Sequence, residues 1–312
     1  ISETAKETLE KYGVAIVPDI LDDGGCDKMV DGFWGFLEKI SETWDEPISR
    51  KDKKTWRSFW KLFPLHSFLI QHWGIAQSQV VWDVRQNPKV VNVFAKIWGC
   101  EPEELLTSFD GASFGFPPEE TGRGWNRNNT WYHSDQSYTR NDLECIQGWV
   151  TGLDVNVGDA TLAFYEGSHK FHGECAKNFN ITEKKNWYKL NREEETFYKE
   201  KCESKKIKCP KGCLILWDSR TIHCGVEAFR WRTSPKFRAV VYTCYQKRSI
   251  ATKAQLRKKI KAFNESRTTS HWPCKVTLFG KKPGRTYGEP LPEITPLDPP
   301  VLTDLGKSLA GF

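Results

Sequence analysis

Apolar positions follow one rhythm in the first hundred residues of the chain and another after that. Cys26, Met29, Val30, Phe33, Leu37 and Ile40 recur every three or four residues, which predicts an amphipathic helix facing a core. Thr4 to Tyr12 predicts a short helix, and the run Val14–Ile20 a strand. A further helix is expected from Asn87-Pro88 to Gly99, because Asn caps, Pro starts and Gly stops a helix. Between Trp44 and Trp60 the sequence turns polar and basic, the pattern of a loop or mobile lid.

From Leu105 the chain breaks into short apolar or alternating runs separated by Gly, Asn, Asp and Pro. Leu106–Phe114, Cys145–Val155, Thr161–Tyr165, Cys213–Trp217 and Ala239–Tyr245 are of strand length. Helices followed by many short strands predict a mainly β fold, a sandwich or barrel with helices packed on one side. Thr252–Phe263 reads as a basic helix with Leu256, Ile260 and Phe263 on its apolar side. No internal repeat or linker divides the chain. The expected organisation is one catalytic domain over 1–289, with helices in 1–104, a β core in 105–246 and an extension in 247–289. An extended, Pro-rich tail is expected over 290–312.

Composition narrows this picture. Of 312 residues, 38% are hydrophobic and 13% aromatic, with 14 Trp, enough for one large core and too much for a disordered chain. The longest apolar runs are of strand length, far short of the ~20 residues of a membrane span. No signal-peptide pattern opens at Ile1, although a targeting segment can have preceded it. The ten cysteines are scattered and several sit in apolar runs, where a thiol behaves as a small hydrophobe. An intracellular, cytoplasmic protein with reduced thiols is expected. Cys202, Cys209 and Cys213 lack the paired spacing of a zinc site. The net charge of +6 suits an anionic substrate or is simply a solvated face.

The candidate chemistry lies in Trp131-Tyr132-His133-Ser134-Asp135-Gln136. In a strand, residues two apart share a face, so His133 and Asp135 can chelate one ion. A third ligand is offered by His223, which follows the buried-strand pattern Leu214–Trp217 and the turn Asp218-Ser219-Arg220. It lies 90 residues on (223 − 133), a separation that suits strands from opposite sheets of a sandwich. Two imidazoles and one carboxylate leave coordination positions open, the facial set of non-haem Fe(II) oxygenases. Zinc would more often add a fourth ligand. Arg238 opens the run Ala239–Tyr242, and a hairpin would return it beside His223 to pair with a dicarboxylate. Arg230 and Arg232, in the connecting turn, are weaker candidates. His66, His72, His169, His172 and His271 are read as packing or surface histidines, and Asp110 as a turn or strand-end residue. Asp218 is read in the same way, with a lesser role in orienting His223.

The ordered series of motifs resembles the phytanoyl-CoA dioxygenase-like branch of the Fe(II)/2-oxoglutarate oxygenases. It comprises Trp131–Gln136, Leu162–Lys170, Gly212–Trp217, and Thr221–Gly225 with Phe237-Arg238, within a resemblance that spans Val14 to Gln246. The resemblance implies a double-stranded β-helix, or jelly roll, with His133, Asp135 and His223 as iron ligands and Arg238 on the distal carboxylate of 2-oxoglutarate. It places Trp149 beside the cosubstrate, and Gln147, two residues earlier on the same face, becomes a polar neighbour. Fe(II), 2-oxoglutarate and O2 are the implied cofactors and cosubstrates. The interval from His223 to Arg238 exceeds the family's usual spacing, and residues 180–208 and those after Lys247 have no obvious family counterpart. Those stretches are where substrate choice is expected.

Three functions compete at this point. The first is an oxygenase of a small, anionic metabolite, by hydroxylation, oxidative cyclisation or desaturation. The second is an oxygenase of nucleic acid or protein, using the basic helix with Lys253, Arg257, Lys258, Lys259 and Lys261. The third is a non-catalytic binding protein on the same fold. No membrane partner is expected, and the sequence does not reveal the oligomeric state.

Overall fold

A computed structural model describes residues 2–63 and 69–312, so His66 lies outside the described residues. The helical lead-in starts with α1 (Ser2–Tyr12), β1 (Val14–Val17) and α2 (Asp23–Ile40). The Asp22 side chain caps α2 by accepting from the Gly25 amide, and Met29, Phe33, Leu37 and Ile40 form its buried stripe. Each such side chain contributes about 1.5–3 kcal/mol on burial. An exposed ion pair such as Lys39–Glu42 contributes about 0–1 kcal/mol, so the stripe fixes α2 in place. Next come α3 (Gln79–Arg85) and α4 (Pro88–Trp98). As the sequence predicts, Asn87 caps α4, Pro88 opens it and Gly99 stops it with φ at 61°.

The remaining elements are β2 (Leu105–Thr107), β3 (Ala112–Gly115), α5 (Pro118–Thr121), β4 (His133–Ser134), β5 (Ile146–Thr151), β6 (Thr161–Tyr165) and α6 (His172–Asn178). They continue with β7 (Tyr188–Lys189), α7 (Arg192–Lys201), β8 (Ser204–Lys206), β9 (Leu214–Asp218), β10 (His223–Val226), β11 (Arg238–Lys247), α8 (Lys253–Asn264) and α9 (Asp304–Ala310). Two sheets result, and every strand pairing is antiparallel. The larger has the order β1-β9-β5-β11-β2 with β3 also on β11, and the smaller the order β7-β4-β10-β6-β8.

Alternation along the strands sorts the core into layers. From the large sheet, Val150, Leu214, Leu216, Ala239 and Val241 join the stripe of α2 on the helix side. Trp149, Ile215, Trp217 and Val240 point the other way and meet Leu162 and Phe164 of the small sheet. Tyr165, Ala163 and Cys224 line the outer face of the small sheet, packed on Phe197 and Tyr198 of α7. This is the jelly roll implied by the resemblance, but helices cover both outer faces: the lead-in helices pack on the large sheet and α7 on the small one, not on one side as expected.

Four further expectations are corrected. Residues 53–62 are not a lid: they form a 3-10 helix whose Trp56, Phe59 and Leu62 are buried among Trp34, Phe116 and Phe237. The basic residues that suggested a loop are the outward positions of that helix. The tail is extended only to Thr303 and then forms α9, which buries Leu309 and Ala310. His133 and His223 lie in one sheet, not two, because β4 and β10 are direct neighbours. The chain from β10 to β11 passes between sheets, so no hairpin joins His223 to Arg238.

Candidate metal centre

Because His133 and His223 are cross-strand partners, their side chains share a face, and the ring centroids lie 4.3 Å apart. Asp135 is two residues beyond His133, its amide donating to the Ser219 carbonyl at 2.9 Å. Its Oδ2 lies 3.7 Å from Nε2 of His133 and 3.3 Å from Nε2 of His223. One ligand atom from each residue falls within 4.8 Å of the others, and all three side chains are buried between the sheets.

The hydrogen bonds fix the tautomers. Nδ1 of His133 donates to the Trp131 carbonyl at 3.2 Å and Nδ1 of His223 to the Thr221 carbonyl at 2.8 Å. A carbonyl only accepts, so each Nδ1 carries the proton and each Nε2 keeps its lone pair for a metal. Burial alone would raise the Asp135 carboxyl, but the neighbouring imidazoles of His133, His271 and His223 hold it well below the usual range. Burial, then repulsion from His133, lowers His223 below its ordinary value of 6.5, which favours the neutral ring. The donor set is therefore one carboxylate and two imidazole lone pairs, the ligands a divalent iron takes.

The large sheet supplies the rest. Gln147 on β5 donates from Nε2 to Asp135 Oδ2 at 3.0 Å. Trp149 lies on the same face two residues on, and the Arg238 guanidinium stands 5.4 Å from its ring. Arg238 is buried, donating from Nε to Ser113 Oγ at 3.1 Å and from Nη1 to the Ala160 carbonyl at 3.0 Å. Triad, Gln147, Trp149 and Arg238 are thus ordered along the inner face, with a cavity beyond Arg238 lined by Phe116, Glu227 and Phe237.

The other candidates fall elsewhere. Arg232 is paired with Glu119 and Asp159, and Arg230 lies over Trp125. Asp110 accepts from the buried Arg85, and Asp218 is held by Arg220 at 2.6 Å while the Thr221 carbonyl orients His223. His169 packs near α1 against the Glu10 carbonyl, His172 stacks on Tyr138, and His72 bonds the Gly280 carbonyl. The triad is the one grouping of metal-ligand type among the described residues, so Cys202, Cys209 and Cys213 form none. Sequence reasoning missed His271, whose imidazole is among the groups that lower Asp135, and Trp187, whose ring lies 5.8 Å from His133. Neither belongs to a periodic or spaced pattern that would single it out.

The family described as "Phytanoyl-CoA dioxygenase (PhyH)" matches residues 9–227. The chain belongs to this family. It is accordingly an Fe(II)/2-oxoglutarate-dependent oxygenase, with iron and 2-oxoglutarate as its cofactors. The matched stretch contains His133, Asp135 and His223 and ends before Arg238. A relative from Aspergillus versicolor, "Ava biosynthesis cluster protein O", is 27% identical over 252 residues, covering 77% of this chain and 73% of that protein. Among solved structures, the non-heme alpha ketoglutarate dependent carbocyclase SnoK from nogalamycin biosynthesis has a TM-score of 0.52 at 15% identity, over 78% of this chain and 83% of its own. EctD from S. alaskensis with 2-oxoglutarate and 5-hydroxyectoine also has a TM-score of 0.52, at 14% identity, over 80% of this chain and 77% of its own. At such identities the two structures speak for the shared fold. No helix among the described residues is long and apolar enough to cross a membrane.

Proposed function

We propose that His133, Asp135 and His223 hold Fe(II), that Arg238 pairs with the distal carboxylate of 2-oxoglutarate, and that the enzyme oxidises a small metabolite. The observation that carries this reading is the convergence of two Nε2 lone pairs and one carboxylate, all buried, within 4.8 Å of one another. Bound iron, 2-oxoglutarate and O2 supply oxidation of a substrate C–H, the cosubstrate leaving as succinate and CO2.

The chain's own residues do the holding and shaping. Gln147 fixes the Asp135 carboxylate through Oδ2, the oxygen that faces both imidazoles. The Trp131 and Thr221 carbonyls hold both rings in the ligating tautomer. Trp149 walls the space between the triad and Arg238, and Arg238 offers a planar fork suited to a carboxylate. Hydroxylation, oxidative cyclisation and desaturation are all open to such a site; the position of the substrate carbon decides among them. Lys189, directly opposite His133 and exposed, supports an anionic metabolite. Lys259 of the basic helix is buried beside Phe109, which removes one cation from the surface a nucleic acid would use. All ten cysteines are free thiols, in keeping with an intracellular setting.

The test is turnover with Fe(II), 2-oxoglutarate and O2 on fractionated metabolite extracts. Succinate release stimulated by one fraction, with a product heavier by one oxygen or lighter by two hydrogens, is the expected result. Succinate release no greater than that of Asp135→Ala in every fraction would overturn the reading.

A further inference from the structure

Beside the metal site stand aromatic rings from two segments that the proposed chemistry leaves without a task. On the small sheet, Ser134 pairs with Tyr188 and His133 with Lys189, so Trp187 and Lys189 share the face of His133. Trp187 is 53% exposed, unusual for a large ring set beside a buried site. Its ring centroid lies 5.8 Å from that of His133. Trp131 stacks flat on His133 at 4.8 Å and 8°, and its Nε1 is tied to the Gly225 carbonyl.

The second segment follows α8. Trp272 is buried against Cys145 and Cys244, and Cys244 is the register partner of Gln147. This places Trp272 at the metal end of the large sheet's inner face. The ring of His271 lies 5.6 Å from it. Nε2 of His271 and Nε1 of Trp272 are both enclosed, and neither has a hydrogen-bond partner among the described residues. Buried polar atoms are almost always satisfied, so two adjacent orphans beside a metal pocket point to a ligand that satisfies them.

We infer that these rings form the substrate subsite, and that it takes a planar aromatic ring bearing a hydrogen-bonding group such as an amide. The ring lies against the Trp187 indole, and the polar group pairs with His271 Nε2. An aromatic partner gains over an aliphatic one of equal area because offset or edge-on ring pairs add a roughly 2- to 12-fold preference. A polar group gains a further factor of about 5 from one hydrogen bond to an otherwise unpaired atom. Substrate choice is thus made by residues from the two stretches that have no obvious family counterpart.

This inference rests on the Fe(II)/2-oxoglutarate reading, and the test separates the two. The anaerobic Fe(II)·2-oxoglutarate form is titrated with 2-naphthamide, with 2-methylnaphthalene, which lacks the polar group, and with cyclohexanecarboxamide, which lacks the aromatic ring. Binding is followed by perturbation of the iron–2-oxoglutarate charge-transfer band and by tryptophan fluorescence. The naphthamide is expected to bind tightest. Trp187→Ala should weaken it about 5- to 10-fold and His271→Phe about 5-fold, the latter removing its advantage over 2-methylnaphthalene. Trp187→Ala should not alter the band before probe is added, and probe binding to His271→Phe, whose ring acts on Asp135, is read against its own probe-free band. An unaltered band with equal or absent binding of all three probes overturns the inference and leaves the metal reading standing. Absence of the band in folded protein overturns the metal reading, and the inference with it.

Discussion

Gln147 donates to Oδ2 of Asp135 at 3.0 Å, so a side chain of the large sheet holds a carboxylate carried by the small one. The same amide lies 3.5 Å from Ser219 Oγ, whose hydroxyl donates to the Cys145 carbonyl. The carboxylate is therefore aimed by a bridge across the sandwich as well as by its own strand. Gln147→Leu keeps the volume and removes the donor. Its expected effect is a roughly 10- to 100-fold loss of Fe(II) affinity with little change in fold, since partners that orient ligands carry about that much. Metal titration beside circular dichroism checks both halves; unchanged affinity would remove Gln147 from the site.

Arg238 should act on the cosubstrate and not on the metal. Arg238→Ala is expected to leave Fe(II) binding intact and to weaken 2-oxoglutarate by about 2–4 kcal/mol, the range for losing a charge-assisted pair. Arg238→Lys should recover only part, because a point charge does not reproduce the two-pronged contact. Competition between 2-oxoglutarate and N-oxalylglycine, read by calorimetry, measures both variants.

Acid should expose a buried histidine on the outer side of the ligand strand. Burial pushes His172 from 6.5 down to about 4, although its bond with the Gln136 carbonyl opposes this. As pH falls, the unfolded chain takes up this proton before the folded one. The stability tied to the neutral ring is therefore complete above 6.5 and disappears progressively down to 4. Between pH 7 and pH 5 the loss is about 2 kcal/mol. His172→Phe retains the stacking on Tyr138, which lies at 4.2 Å, and should show a pH slope shallower by that amount in urea unfolding. An identical slope would contradict the assignment.

The sequence exposed those features that repeat or punctuate. The stripe of α2 and the Asn87, Pro88 and Gly99 signals of α4 are local, and the structure has both elements where they were expected. His133, Asp135 and His223 were legible because a two-residue strand spacing and a buried run with a turn each leave a local trace. Their joint placement in one sheet was not, since register across β4 and β10 depends on contacts ninety residues apart. Residues 44–60 misled because composition does not reveal which side of a 3-10 helix is covered. Trp187 and His271 left no trace because their roles come from what lies across the pocket.

Leu309 of α9 is fully buried in the core cluster of the helical side, and Arg248 reaches the Ser308 and Gly311 carbonyls. Leu309→Ala should cost about 2–5 kcal/mol, the range for deleting a buried leucine side chain. A surface tail would lose almost nothing, and chemical denaturation distinguishes the two.

The central claim is that the buried triad binds iron and that Arg238 completes a 2-oxoglutarate site. Its most direct test is an anaerobic titration of the metal-free protein with Fe(II) and then 2-oxoglutarate, watching the visible charge-transfer band of the chelate. The account predicts a saturable band at one iron per chain. It should vanish in His133→Ala, Asp135→Ala and His223→Ala, and require more 2-oxoglutarate in Arg238→Ala. A folded protein that shows no band, or an Asp135→Ala variant that shows the full band, would contradict it.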